Sequence, residues 1–127
     1  STLLDAIASA ALTRMSDFNT QNLSNTAWAY AVLGLTHRPL LQAISAASIG
    51  LIREAVNQSL TNPAWAFATL GVMDATLLAA ISSAALTKIS EETSQGIANL
   101  AWSFASLEFR DDPLLHALAA EAIKKIN

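Results

Sequence analysis

The sequence predicts an all-α fold, an α-solenoid of 37-residue helical hairpins, on three observations. All three tryptophans, Trp28, Trp65 and Trp102, recur at intervals of 37 residues. Each lies in a copy of one stretch: Asn25-Thr26-Ala27-Trp28-Ala29-Tyr30-Ala31-Val32-Leu33-Gly34, Asn62-Pro63-Ala64-Trp65-Ala66-Phe67-Ala68-Thr69-Leu70-Gly71 and Asn99-Leu100-Ala101-Trp102-Ser103-Phe104-Ala105-Ser106-Leu107-Glu108. Composition agrees: 53% of residues are hydrophobic, with Ala, Leu and Ile prominent, and only 13% are charged. Such residues favour helix over strand, and a fixed period in this range marks stacked repeats.

Each repeat opens with a Leu-Leu pair, at Leu3-Leu4, Leu40-Leu41, Leu77-Leu78 and Leu114-Leu115. Apolar residues then continue at helical spacing, which predicts a first helix, A, at about 3–15, 40–53, 77–89 and 114–126. Thr2 and Thr76 suit caps, and Pro39 and Pro113 suit a first helical turn, where a missing N–H costs nothing. A polar break follows, and a second helix, B, is predicted at about 21–33, 58–70 and 95–107. Leu23, Ala27, Tyr30, Ala31 and Leu33 mark its buried face, with Trp28 at the edge. Gly34 and Gly71 fit left-handed closing residues; where Glu108 takes that place, a different closure is expected. Pro63 conflicts with a helix interior, so a kinked B helix is expected there in preference to a shorter one capped by Asn62.

The pattern is A-B-A-B-A-B-A, three full hairpins and one extra helix. The repeats run at about 3–39, 40–76 and 77–113, with a partial one at 114–127, in a single segment over 1–127 that is expected to belong to a longer array. Helix 114–126 carries Leu115, Leu118, Ala122, Ile123 and Ile126 with no B helix to cover them. Further repeats or a partner are expected to cover the ends. Two uncharged stretches, Phe18 to Thr36 and Ala55 to Met73, are interrupted by Asn, Gln and Pro residues. No membrane span is expected from them.

The unit Gln-x-Leu-x-Asn-x-Ala-Trp-Ala-Phe-Ala-x-Leu-Gly, followed by Pro-Leu-Leu-x-Ala-Ile, resembles octotricopeptide repeats. It resembles more closely the 37-residue heptatricopeptide repeats. The resemblance spans essentially the whole chain and departs at Pro63 and Glu108. It implies a helical-hairpin solenoid of an organelle, mitochondrion or plastid. It also implies binding of single-stranded RNA or ribosomal RNA in transcript processing, stability or ribosome assembly.

Catalytic signals are sparse. Cysteine is absent, only two histidines and four glycines occur, and no metal-binding, nucleophile or phosphate-loop motif is formed. No enzyme, cofactor or metal site is expected. Asn25, Asn62, Asn99, Trp28, Trp65 and Trp102 are constant from copy to copy. They read as the structural repeat core, the tryptophans packed between repeats and the asparagines bonded to backbone at the junctions. A base-reading position should instead vary between repeats. Such variation lies on helix A, in the columns Asp5, Gln42, Ala79, His116; Ser9, Ala46, Ser83, Ala120; and Thr13, Gly50, Thr87, Lys124. Beside them Arg14, Lys88 and Lys125 share one repeat position, with Arg53 nearby, as a basic ridge suited to a phosphate backbone. Arg14 with Asp17 and Lys88 with Glu91 are equally spaced for surface pairing. The net charge of −3 counts against RNA and favours the alternative, a protein–protein scaffold or structural subunit of a large organellar complex.

Overall fold

A computed structural model describes residues 2–55 and 58–126. Among them are seven α-helices: α1 (Thr2–Thr13), α2 (Thr20–Val32), α3 (Arg38–Gly50), α4 (Gln58–Leu70), α5 (Ala75–Lys88), α6 (Ser94–Ser106) and α7 (Asp112–Ile126). A short 3-10 turn follows α1, α3 and α5, at Met15–Asp17, Ile52–Glu54 and Ile89–Glu91. The A helices α1, α3, α5 and α7 stack in one layer and the B helices α2, α4 and α6 in a second, tighter one. The chain is an α-solenoid.

Starts and stops follow local chemistry. Asn19 and Asn22 form a reciprocal capping box at α2, the Asn22 N–H donating to Asn19 Oδ1 at 2.8 Å and the Asn19 N–H to Asn22 Oδ1 at 3.1 Å. At α3 the Leu40 N–H donates to His37 Nδ1, and at α6 the Gly96 N–H donates to Thr93 Oγ1. Thr76 is not the cap of α5. That place belongs to Asp74, which accepts from the Leu77 N–H through Oδ1 and from the buried Ser45 hydroxyl through Oδ2 at 2.6 Å. One carboxylate thus starts a helix and ties it to the A helix of the preceding repeat. Thr2, expected as the cap of the first helix, is instead the first residue of α1.

Glu108 does not close its helix differently. All three B helices end in the same motif, with Gly34, Gly71 and Glu108 at φ of 68°, 70° and 57°. The next residue's N–H reaches back to the aromatic carbonyl in each case: Leu35 to Tyr30, Val72 to Phe67 and Phe109 to Phe104, at 2.8–2.9 Å. This six-to-one bond is accompanied by an apolar contact; at Phe109 it is an edge-on pairing with Phe104, centroids 5.7 Å apart. The glutamate accepts a left-handed backbone that glycine adopts without strain, because the closure is fixed by the bonds around it. Helix α4 runs unbroken through Pro63, so no shorter helix starts at Asn62.

The core lies between the layers. Leu23, Leu60 and Ile97 are buried at one repeat position, and Tyr30, Phe67 and Phe104 at another. On helix A, Leu40 packs toward the preceding repeat and Leu41 toward the following one. Their counterparts at the two ends, Leu3 and Leu115, are exposed for that reason, as are Ile7, Ile123 and Ile126. Leu33, expected in the buried stripe, is exposed as well, because the helix already closes there. No helix among the described residues is long and apolar enough to cross a membrane.

Candidate interaction groove on the B layer

A cleft of about 900 Å³ runs across the three B helices. Its lining is columnar: Gln21, Gln58 and Gln95; Asn25, Asn62 and Asn99; Trp28 and Trp65. The residues at 21, 25 and 28 share one helix face, because positions four and seven apart fall within about 60° of each other at 3.6 residues per turn. That face is turned away from the stripe of Leu23, Ala27 and Tyr30.

Trp28 and Trp102 are therefore not core residues: they are 48% and 49% exposed. Trp65 is half-buried, with part of its ring against the core cluster between the first two repeats. The large buried side chain that each hairpin needs is supplied by Tyr30, Phe67 or Phe104, leaving Trp28 and Trp65 to line the cleft and Trp102 exposed outside it. The asparagines do not hold backbone at the junctions either. Asn25 Oδ1 accepts from Gln21 Nε2 at 3.0 Å, and no other side-chain bond joins the Gln and Asn columns among the described residues. The first junction is tied by a smaller group instead, Ser24 Oγ donating to the Gln58 carbonyl at 3.2 Å; the Ser103 hydroxyl turns back to the Asn99 carbonyl of its own helix at 2.6 Å.

The glutamine that opens the repeat unit, not expected as a site residue, makes the third column of this face. Gln21, Gln58 and Gln95 stand at the same spacing as the tryptophans, four residues before each asparagine. Three polar or amphipathic columns at helical spacing define a face as surely as an apolar stripe does.

One lining residue breaks the repeat. Glu92 occupies the position of Phe18 and Ala55, is 3% exposed, and its Oε1 has no hydrogen-bond partner. Its carboxylate lies against the Cα of Gly96, where a Cβ would collide with it. Burial pushes its pKa up, with a further push from Glu91; the Thr93 N–H and Lys125 pull the other way without reversing it. A carboxyl favoured in its neutral form by folding contributes most stability below its unfolded pKa. That contribution fades as pH rises through the folded value. Glu92→Gln should accordingly raise stability by about 1 kcal/mol at pH 7 and by nothing at pH 4. Urea unfolding at the two pH values checks this; an equal effect at both would show that the carboxylate's charge is not what costs stability.

The A-layer candidates lie on the opposite side. Asp5, Ser9, Thr13, Gln42, Ser83, Thr87, His116 and Lys124 are all exposed there, as is Arg14. Thr13 and Thr87 turn their hydroxyls back to the carbonyls of Ala10 and Ala84 at 2.8 Å. The basic ridge is largely occupied. Lys88 Nζ donates to the carbonyls of Arg53 and Ala55 in the preceding repeat, closing the end of a 3-10 turn. Lys124 and Lys125 both pair with the buried Glu121, at 3.3 and 3.1 Å, and the Lys125 bond above all holds that carboxyl below its usual pKa. Arg14 and Arg53 make no side-chain bond, and the Arg14–Asp17 and Lys88–Glu91 pairs do not form. Among the described residues no group of His, Asp and Glu is placed to hold a metal ion.

A family model described as RNA-editing substrate-binding complex 6 protein matches residues 1–127. No curated protein matches the chain.

Proposed function

The chain belongs to the RNA-editing substrate-binding complex 6 family, and from that premise we propose that it is a non-enzymatic, partner-holding subunit of an RNA-editing assembly. The observation that carries this is the distribution of charge. No Lys or Arg lines the large cleft. On the other layer, three of the five cations in or beside the basic ridge are bound to the protein itself. Affinity for RNA comes chiefly from cations that neutralise phosphates, so this chain contributes structure to the assembly more than grip on the RNA.

Exposed apolar residues at both ends, Leu3 and Ile7 on α1 and Leu115, Ile123 and Ile126 on α7, supply surfaces against which further repeats or neighbouring subunits stack. The family's RNA-editing role and the resemblance to heptatricopeptide repeats both support an organelle as the site of the assembly. A direct RNA contact is the second reading, favoured by Trp28 and Trp102. Exposed aromatic rings are platforms for unpaired bases.

Purification of the tagged full-length protein from its own cells tests the proposal. The expected result is recovery of the RNA-editing assembly and its substrate RNA, with the protein partners retained after ribonuclease treatment. Ile123→Glu with Ile126→Glu should release those partners. Binding of oligoribonucleotide by the purified protein should be no tighter than the ~10⁻⁴–10⁻⁶ M of non-specific contacts at physiological salt. Partners lost with the RNA, together with tight and steeply salt-dependent RNA binding, would establish the second reading in its place.

A further inference from the structure

We infer that the B-layer cleft binds an extended, polyproline-like peptide segment of a partner protein, with a basic side chain of that segment meeting Glu92. The inference rests on the partner-holding role above and names the chemistry of one partner. Three observations carry it.

The first is the sameness of the lining. Gln and Asn line the cleft at fixed positions in all three repeats, and Trp in the first two. A constant row of side chains matches a ligand whose recognised part repeats identically. Bases do not; a polymer backbone does.

The second is the kind of groups in the row. Carboxamides donate and accept hydrogen bonds, and the indole N–H donates. A polyproline helix has no internal hydrogen bonds, so its carbonyls are free to accept from such donors. Its three residues per turn at 3.1 Å each give a repeat of about 9 Å, close to the roughly 8–10 Å between helices packed side by side. One turn of ligand therefore meets one repeat of the groove. Proline-rich segments dock in aromatic-lined grooves for the same reason, their conformation being set before binding.

The third is charge. The other regular backbone, that of RNA, brings a phosphate at every step, and the cleft offers it no cation. Instead the cleft holds Glu92, buried, with an unbonded Oε1, at a position that is apolar in the other repeats. A Lys or Arg of the ligand supplies the missing partner.

Fluorescence polarisation of the full-length protein with fluorescein-labelled (Pro-Pro-Lys)4, (Pro-Pro-Glu)4 and a dodecamer of oligouridine tests the inference. The lysine peptide should bind at least about tenfold more tightly than the glutamate peptide. Trp28→Ala and Asn62→Ala, both at positions outside the core, should each weaken it by about tenfold. Glu92→Gln should reduce the preference for lysine to about twofold or less. Oligouridine that binds more tightly and displaces the peptide would reassign the cleft to RNA. Absence of peptide binding, or binding untouched by all three substitutions, would overturn the inference outright. Recovery of the assembly with Trp28→Ala or Asn62→Ala then separates the two proposals, since the subunit role survives a failed groove whenever the partners are still retained.

Discussion

Phe67→Ala should destabilise the protein by about 3–5 kcal/mol, whereas Trp28→Ala, removing a larger side chain, should cost only about 2 kcal/mol. The contrast follows from position. Phe67 is 1% exposed at the middle of the stack. It packs among Leu60, Leu78 and Ile81 in the cluster joining the second and third repeats, and its carbonyl accepts the Val72 N–H that closes α4. Deleting its ring opens a cavity between two A helices and a B helix, none of which can collapse without parting from its neighbours. Trp28 has about half its surface in water and leaves no enclosed cavity when removed, so only its buried half is lost from contact. Urea unfolding followed by far-ultraviolet circular dichroism measures both. Equal costs would mean that the tryptophan column carries the stack after all.

The period of 37 residues was enough to place every helix to within a few residues, because a hairpin that cannot bury its own apolar face repeats its pattern wherever it repeats its packing. What constancy does not reveal is which way a residue points. Trp28 and Tyr30 are both aromatic, each has an aromatic counterpart in every copy, and they differ by two positions. At about 100° per residue that is more than half a turn of helix, which sends one to the core and the other to the cleft. Counting angle from Leu23 separates them, and the same count gathers Gln21, Asn25 and Trp28 on one face. The fate of the basic ridge was not legible in this way. Lys88 is held by carbonyls of Arg53 and Ala55, 35 and 33 residues away in the chain. Lys125 is held by Glu121, which has an apolar or small counterpart in the earlier repeats. Charge pairs such as Arg14–Asp17 satisfied the spacing rule and still did not form. Exposed pairs of that kind are worth a few tenths of a kcal/mol, too little to fix two long side chains against the pull of water.

The seam between B helices gives the second large effect, and it joins the fold to the groove. Ala66→Phe should destabilise the protein by about 3 kcal/mol, the upper end of the usual range for overpacking, and should also abolish binding at the cleft. Ala66 is fully buried, on α4, in the cluster that includes Leu23, Ala27, Tyr30 and Ala31 of α2. Its counterpart Ser103 is buried on α6, while Ala29 on α2 is exposed among the described residues. Small residues at this position let the B helices lie closely together, since side-chain size at the contact sets the distance between packed helices. A phenyl ring cannot enter the seam without driving α2 and α4 apart. The same movement would separate Trp28 from Trp65 and Asn25 from Asn62, breaking the match between groove spacing and ligand repeat. Ala29→Phe in the 127-residue segment is the control, because it adds the same ring at the same repeat position where the side chain is exposed. It should leave stability within about 0.5 kcal/mol of the parent. Thermal and urea unfolding of both variants, with peptide titration of whatever remains folded, distinguishes the outcomes. If Ala66→Phe folds with unchanged stability and binds normally, the spacing of the B helices is not set by this alanine, and the groove's register must be fixed elsewhere in the stack.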